Sequence, residues 1–454
     1  MQVMKQNKLP EPDEFIIHPF SFDEKTGLVS LNYSFDGQLH FSEIIDFGVR
    51  DAALSGDRLK AFERAISYLQ IAAGISYYKS LLPRVIRIEN IELDEDVLSF
   101  FQSFYKDGLG EFAYRNDIDL SGRINFVSDA PPKICQAYPL DLKDRAVVLF
   151  GGGKDSIVST EIVQSMNKAF SLFCVNPVPE MLDGVEAAEA GLIKVRRTLD
   201  SALFELNENG AYNGHVPITG ILSFIAVAAS ILHGFDTIVL SNERSASEGN
   251  VQKDGQNVNH QYSKSYEFEA MFSKLVQAKV IANIRYFSLI RPMSELQIAK
   301  QFSKITRYDP VFTSCNANFK IQGRMDQKKW CGDCPKCRFA FLVLAGPIGK
   351  QRALNIFGAN LLDDGAQMDG FAELLGLQGH KPWECVGEIL ESRVALYDLL
   401  HEEQWKDAAV VKALGAKLGV FKNDILAAKE HYYTLSKEHG VPPEYLEALR
   451  AFVD

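Results

Sequence analysis

The stretch Ala146-Val147-Val148-Leu149-Phe150-Gly151-Gly152-Gly153-Lys154-Asp155-Ser156-Ile157 carries most of what this chain says about its own fold. Five apolar residues running into glycines form the pattern of a short strand buried on both faces. Behind the glycines, Ile157, Val158, Ile162, Val163 and Met166 recur at helical spacing. A glycine turn between a buried strand and a helix start is an anion site. The backbone can approach closely, several N–H groups point outward together, and the helix dipole adds to the attraction. Commoner phosphate loops fail on spacing. A Walker A loop needs glycine where Val148 stands and Ser or Thr where Asp155 stands, and G-x-G-x-x-G is absent here.

Further strands are expected at Phe170 to Val175 and Thr237 to Leu240, with a helix from Leu192 to Leu206 and a buried helix from Ile221 to Leu232. Upstream, Val29, Leu31, Tyr33 and Phe35 alternate with polar residues before Asp36-Gly37 turns the chain into Leu39 and Phe41, a hairpin. Leu59, Phe62, Ile66 and Leu69 then mark a helix, and three prolines between Ser128 and Asp141 mark a linker. Beyond residue 350 the pattern is helical, with Ile389, Leu390, Val394, Tyr397 and Leu400 on one face. The expected organisation is an N-terminal α+β region (1–140), an α/β domain with an open, mostly parallel, doubly wound sheet (141–350) and a helical C-terminal region (351–454).

The formal net charge of −11 argues against a coat for nucleic acid or anionic membrane. The apolar run 221–232 is shorter than the roughly 20 residues that span a bilayer. Residues 1–15 are polar and carry Pro10 and Pro12, unlike a signal peptide. Seven cysteines, three of them in Cys331-x2-Cys334-x2-Cys337, suit a reducing compartment and a metal site. The expected location is cytoplasmic. With Cys315, the cluster offers four thiolates for a closed tetrahedral zinc site, a donor set that an iron–sulfur cluster also uses.

The loop resembles the pyrophosphate loop of the PP-loop ATP pyrophosphatases. Gly152, Gly153, Asp155 and Ser156 match, and Gly151 replaces the usual serine. Longer stretches sharpen the resemblance. They are Gly74 to Lys79, Gly108 to Asn116, Asn213 to Pro217, Ser241 to Ser247, Val258 to Ser265, Cys331 to Arg338 and His380 to Glu388. Together they look like the MurL family of UDP-N-acetylmuramoyl-L-alanyl-L-glutamate epimerases, over about residues 70 to 400.

That resemblance implies ATP and Mg²⁺ as cofactors, a structural Zn²⁺, and a UDP-muramoyl dipeptide as substrate. It also implies a functional link to the ligase that adds L-glutamate, and no nucleic-acid or membrane partner. The α-carboxylate of the terminal glutamate would be adenylated, AMP and diphosphate released, and the α-carbon inverted. Gly151, Gly152, Gly153, Lys154, Asp155 and Ser156 would hold ATP, with Asp155 also suited to Mg²⁺ or to a helix N-cap. For proton transfer the candidates are His260, Tyr262 and Lys264, which lie in a polar loop, with His215, Cys315 and Cys385 as alternatives. Arg115, Arg244 and His215 are the substrate-binding candidates, and Lys194, Arg196 and Arg197 are weaker ones on their expected helix. Two other readings compete: a PP-loop enzyme of the deazaguanine nitrile synthase or base-thiolating kind, and a non-enzymatic ATP- or zinc-binding module.

Overall fold

The computed structural model describes residues 9–91, 93–253, 256–319 and 329–454. Thirteen strands are found among them. The first six are β1 (Glu14–Ile17), β2 (Ser21–Asp23), β3 (Leu28–Phe35), β4 (Leu39–Asp46), β5 (Val85–Ile88) and β6 (Asn125–Ser128). There follow β7 (Lys143–Leu149), β8 (Phe170–Val175), β9 (Gly191–Thr198), β10 (Phe235–Leu240), β11 (Val251–Lys253), β12 (Gln256–Val258) and β13 (Arg285–Ser288). Helices separate them and make up the described structure beyond residue 350, so the chain is α/β. None of its helices is long and apolar enough to cross a membrane, among the described residues.

The chain divides into two compact units. The first takes in residues up to Arg145 together with Ile193–Ile238 and Val258–Tyr286. Its strands run in the order β9-β4-β3-β1-β5-β6, with β2 paired to β3. The pairs β3–β4, β1–β3 and β4–β9 are antiparallel, whereas β1–β5 and β5–β6 are parallel. The expected hairpin is present, with Phe35 opposite Leu39. Asp36 and Gly37 both take positive φ, 52° and 64°, as a tight two-residue turn requires. The helix Gly56–Tyr78 covers this sheet and buries Phe62, Ile66 and Leu69. Rings of Phe100, Phe104, Phe224, Phe268 and Phe272 interlock edge-on and tilted, and tie helix Glu95–Gly108 to Ile218–His233 and Tyr266–Lys279.

One expectation is corrected. Residues 192–206 do not form a single helix: β9 occupies Gly191–Thr198 and only Ser201–Glu208 is helical. Ile193 and Val195 are buried while Lys194 and Arg196 are exposed, a two-residue period that places the strand beside β4. The Asp200 side chain accepts from the Ala202 N–H at 2.9 Å and starts the helix afresh. Arg197 is therefore not on a solvated helix face. Its guanidinium lies buried against Glu43, at 2.7 and 3.2 Å.

The second unit comprises Ala146–Leu192, Val239–Asn257 and Phe287–Asp454. The C-terminal ends of its strands run β13-β10-β7-β8, with Ala146–Leu149 of β7 parallel to Phe170–Phe173 of β8. Its core joins Val148, Phe150, Ile157, Val158 and Ile162 to Phe287, Leu289, Phe341, Leu396 and Trp405. The C-terminal helices are thus part of this unit's core.

Candidate functional site

In the second unit, β7 ends at Leu149 and the helix Lys154–Ser165 begins directly after the glycines. Gly152 has φ +75°, a left-handed conformation that favours glycine. Its carbonyl accepts from the Thr313 N–H at 3.1 Å, which ties the loop to the segment leading into Cys315. Gly153 is the N-cap, and the Ser156 hydroxyl donates to its carbonyl at 3.0 Å. Lys154 does not project outward. It is 6% exposed, and its ammonium lies 2.6 Å from Asp155 Oδ1 and bonds Glu295. Burial opposes the charge on Lys154, but Asp155 and Glu295 outweigh it and raise its pKa. Burial also pushes the Glu295 carboxyl well up, against the pull of Lys154, and Asp155, Glu243 and Glu391 push the same way. Glu391, fully buried, is pushed up to about 7 by burial. The loop thus has a group of carboxylates around one ammonium beside it, and hard oxygen donors of this kind suit Mg²⁺.

The four cysteines Cys315, Cys331, Cys334 and Cys337 converge, their sulfurs all within 4.8 Å of one another. Cys334 and Cys331 lie 3.5 and 3.6 Å from Cys337, close to the roughly 3.8 Å edge of a tetrahedron with ~2.3 Å zinc–sulfur bonds. Backbone N–H groups of Asp333 and Cys334 point at the Cys331 sulfur at 3.4 and 3.3 Å, and that of Cys331 at the Cys315 sulfur at 3.4 Å. Donors aimed at sulfur stabilise thiolates, so the set fits a closed structural metal. It lies between the loop anchor at Thr313 and helix Pro335–Ile348.

In the first unit, three residues far apart in sequence meet on one carboxylate. Glu111 lies in the first turn of helix Gly110–Arg115 and is 3% exposed. His260 bonds its Oε2 through Nδ1, and His215 Nδ1 lies 3.4 Å from the same oxygen. Arg115, one turn on, holds Oε1 at 3.1 Å. Gly214 sets the approach: it has φ +157°, and a Cβ there would lie 2.9 Å from the Phe112 ring. Gly108 likewise leaves room for Pro217, whose Cγ would lie 2.7 Å from an added Cβ. The two imidazole rings are tilted, with centroids 4.6 Å apart. Burial pushes the Glu111 carboxyl up, but the hydrogen bond from His260 and the charges of His260 and His215 hold it below the ordinary range. Burial takes His215 down to about 4, and the charge of His260 adds to that.

Two histidines and a carboxylate are also a metal-binding pattern, and these donor atoms lie within 4.8 Å of one another. Arg115 on Glu111 and the charge of Lys264 on His215 work against a divalent cation here. The arrangement suits proton transfer better. A carboxylate only accepts, so it fixes the proton on Nδ1 of His260 and leaves the lone pair on Nε2 of that ring.

Of the residues singled out from sequence, His215, His260 and Arg115 gather on Glu111, and Lys264 acts on His215 electrostatically. Tyr262 is buried with its ring 5.7 Å from that of Phe268, and its hydroxyl has no hydrogen-bond partner among the described residues. Arg244 lies in the second unit. It donates to the His431 and Thr434 carbonyls at 3.2 and 3.0 Å and lies 3.0 Å from His431 Nε2. Sequence reasoning did not single out Glu111 or Glu295. The one available signal for Glu111 was Arg115 four residues on in a helical stretch.

Comparison with known proteins adds the following. The MurL N-terminal domain family matches residues 6–289, and the MurL C-terminal domain family matches residues 311–429. A protein of Xanthomonas oryzae pv. oryzae named UDP-N-acetyl-alpha-D-muramoyl-L-alanyl-L-glutamate epimerase is 41% identical over 95% of both chains. Proteins of the same name from Micromonospora sp. and Salinispora tropica are 39% and 41% identical. The first of these alignments covers 98% of this chain and all of the relative, the second 90% of each.

Proposed function

The chain belongs to the MurL epimerase family, and from that we propose that it is an isomerase that inverts the terminal L-glutamate of UDP-N-acetylmuramoyl-L-alanyl-L-glutamate to the D-form, for peptidoglycan precursor synthesis. The observation that carries the reading to chemistry is the pair His260 and His215 seated on Glu111. An α-proton beside an ionised carboxylate is barely acidic, because its removal puts a second negative charge next to the first. Converting the carboxylate to an acyl adenylate removes that obstacle and lets a base of imidazole strength work. We therefore read Gly151-Gly152-Gly153-Lys154-Asp155-Ser156 as a PP-loop, in a PP-loop fold, that receives the ATP phosphates on the N-terminus of helix Lys154–Ser165. Asp155, with Glu295 beside Lys154, is the natural place for Mg²⁺. After inversion water hydrolyses the acyl adenylate, and the products are AMP, diphosphate and the D-glutamyl nucleotide.

His260, its Nδ1 proton committed to Glu111, takes the α-proton at Nε2. The two rings stand only 4.6 Å apart, too close to straddle an α-carbon from opposite faces. They serve one face, and the proton returned to the other face comes from a donor outside this pair. Arg115, whose side chain is 61% exposed, can grip Glu111 on one side and a substrate phosphate or carboxylate on the other. The Cys315, Cys331, Cys334 and Cys337 set would hold zinc as a brace and takes no part in the proton transfer. The substrate comes from a ligase that adds L-glutamate, and a nucleotide-linked precursor together with ATP places the reaction in the cytoplasm.

The test is isotopic. With ATP and Mg²⁺ in deuterium oxide, the D-glutamyl product should carry deuterium at its α-position, with AMP formed alongside. With α,β-methylene ATP, neither inversion nor exchange should occur. Normal exchange with the non-cleavable analogue would overturn the adenylate route.

A further inference from the structure

Lys79 follows the C-terminus of helix Gly56–Tyr78 and is 4% exposed. Its ammonium has one hydrogen-bond contact among the described residues, the side-chain oxygen of Asn213 at 3.5 Å, and no carboxylate within ion-pair reach. Buried ammonium groups are costly unless paired, and a lone amide oxygen at that distance is poor compensation. Burial accordingly lowers the Lys79 pKa to about 8. By contrast Lys279, also buried, has Asp94 at 2.5 Å.

The place of Lys79 gives the unpaired charge a meaning. The Ser80 carbonyl accepts from the Tyr212 N–H at 3.0 Å, so the end of the long helix lies against the start of the segment 212–217. Asn213, which contacts Lys79, also accepts from the Gly214 N–H at 2.9 Å, and the next residue is His215 on Glu111. Lys79 is thus two residues, through Asn213, from the histidine pair. A substrate ending in glutamate brings two carboxylates to such a place. One is consumed by activation. The other, on the side chain, stays ionised throughout and needs a cation.

We propose that Lys79 is the specificity residue for the substrate's side-chain carboxylate: it takes the γ-carboxylate of the terminal glutamate as the ion-pair partner that the unliganded fold does not supply. This rests on the substrate reading above. Glu111 cannot serve this role, because it is an acceptor already engaged by two histidines and Arg115. The UDP diphosphate is a poorer match, since a single enclosed ammonium offers a point charge whereas diphosphate recognition calls for several outward donors.

The experiment compares two dipeptide nucleotides, one ending in L-glutamate and one in L-glutamine, by calorimetric binding to the wild type and to Lys79→Met and Lys79→Arg. Affinity is read, so the result does not depend on turnover. For the glutamate nucleotide, Lys79→Met should bind roughly 10- to 100-fold more weakly, the range for losing a hydrogen bond to a charged group. For the glutamine nucleotide it should be little changed, and Lys79→Arg should restore part of the preference. An equal loss for both nucleotides, or a preserved preference, overturns the proposal. So does failure of the wild type to discriminate between them. Folding is checked by melting without ligand, where Lys79→Met should unfold no lower than the wild type because a buried unpaired charge has been removed. A wild type that discriminates by affinity yet inverts nothing would refute the epimerase reading and leave the Lys79 assignment standing.

Discussion

Nδ1 of His260 bonds the carboxylate of Glu111, 149 residues away in sequence, and the carboxylate is buried while doing so. That contact fixes the tautomer of the ring. It also supplies a negative charge that would stabilise an imidazolium formed by proton uptake at Nε2 in the proposed reaction. His215 leans on the same oxygen and Arg115 holds the other, so the carboxylate is charged, oriented and unable to turn away.

Replacing Glu111 by Gln should therefore separate the two halves of the reaction. Inversion and α-deuterium exchange should fall by roughly 10²- to 10⁴-fold, the usual worth of a positioned acid–base group. AMP formation should persist, since the loop proposed to bind ATP is untouched. Chiral chromatography of the released glutamate, run beside an AMP assay, decides it. A parallel fall in both would mean that Glu111 supports the fold and not the proton transfer.

The loop makes the converse prediction. Asp155→Ala should reduce AMP formation by at least about 100-fold, as expected when a preorganised charge contact to reacting phosphates is lost. The fold should survive, because Lys154 keeps Glu295 as a partner. Circular dichroism and melting check the fold, and radiolabelled ATP checks the chemistry. AMP production at the wild-type rate would remove Asp155 from the site.

Much of this was readable from the residues alone. The run from Ala146 to Ser156 announces strand, turn and helix because each element has its own period and glycine marks the change. The cysteine cluster is legible because three of its four members sit at short, regular spacing in one segment. The misreading at 192–206 has a clear cause. Val195, Leu199, Leu203 and Leu206 fall four, four and three residues apart, which mimics a helix. What overrides it is tertiary: β4 offers an edge, and Asp200 caps a new helix start. Glu111 was invisible as a site residue for a different reason. A charged residue in a helix next to an arginine reads as a solvated i,i+4 pair, and only the arrival of residues 215 and 260 turns it into the centre of a site. Lys79 was likewise silent, since burial of a lysine is a property of the packed chain.

For the metal, freshly purified protein should contain zinc, close to one per chain as a closed four-thiolate site would hold. Cys334→Ser should lose most of it and melt several degrees lower, because three thiolates hold the ion less tightly and the anchor between Thr313 and helix Pro335–Ile348 loosens. Elemental analysis decides the first point and calorimetry the second. Iron in place of zinc would assign a cluster, and no metal at all would refute the site.

His215 sets the last prediction. Burial, with the charge of His260, lowers its pKa in the folded protein to about 4, against 6.5 for an ordinary histidine. Between these values the unfolded chain binds a proton that the folded one refuses, so stability rises with pH across the window. The contribution is complete above about pH 6.5 and drains away as pH falls toward 4. At about pH 5 the loss amounts to roughly 2 kcal/mol, since each tenfold change in a protonation equilibrium is worth ~1.4 kcal/mol. His215→Gln cannot take up that proton in either state. Without substrate, urea unfolding of the wild type should therefore lose about 2 kcal/mol more than the variant between about pH 7.5 and pH 5. Parallel losses would mean that the folded protein takes up the His215 proton as readily as the unfolded chain, so that burial does not hold this ring neutral.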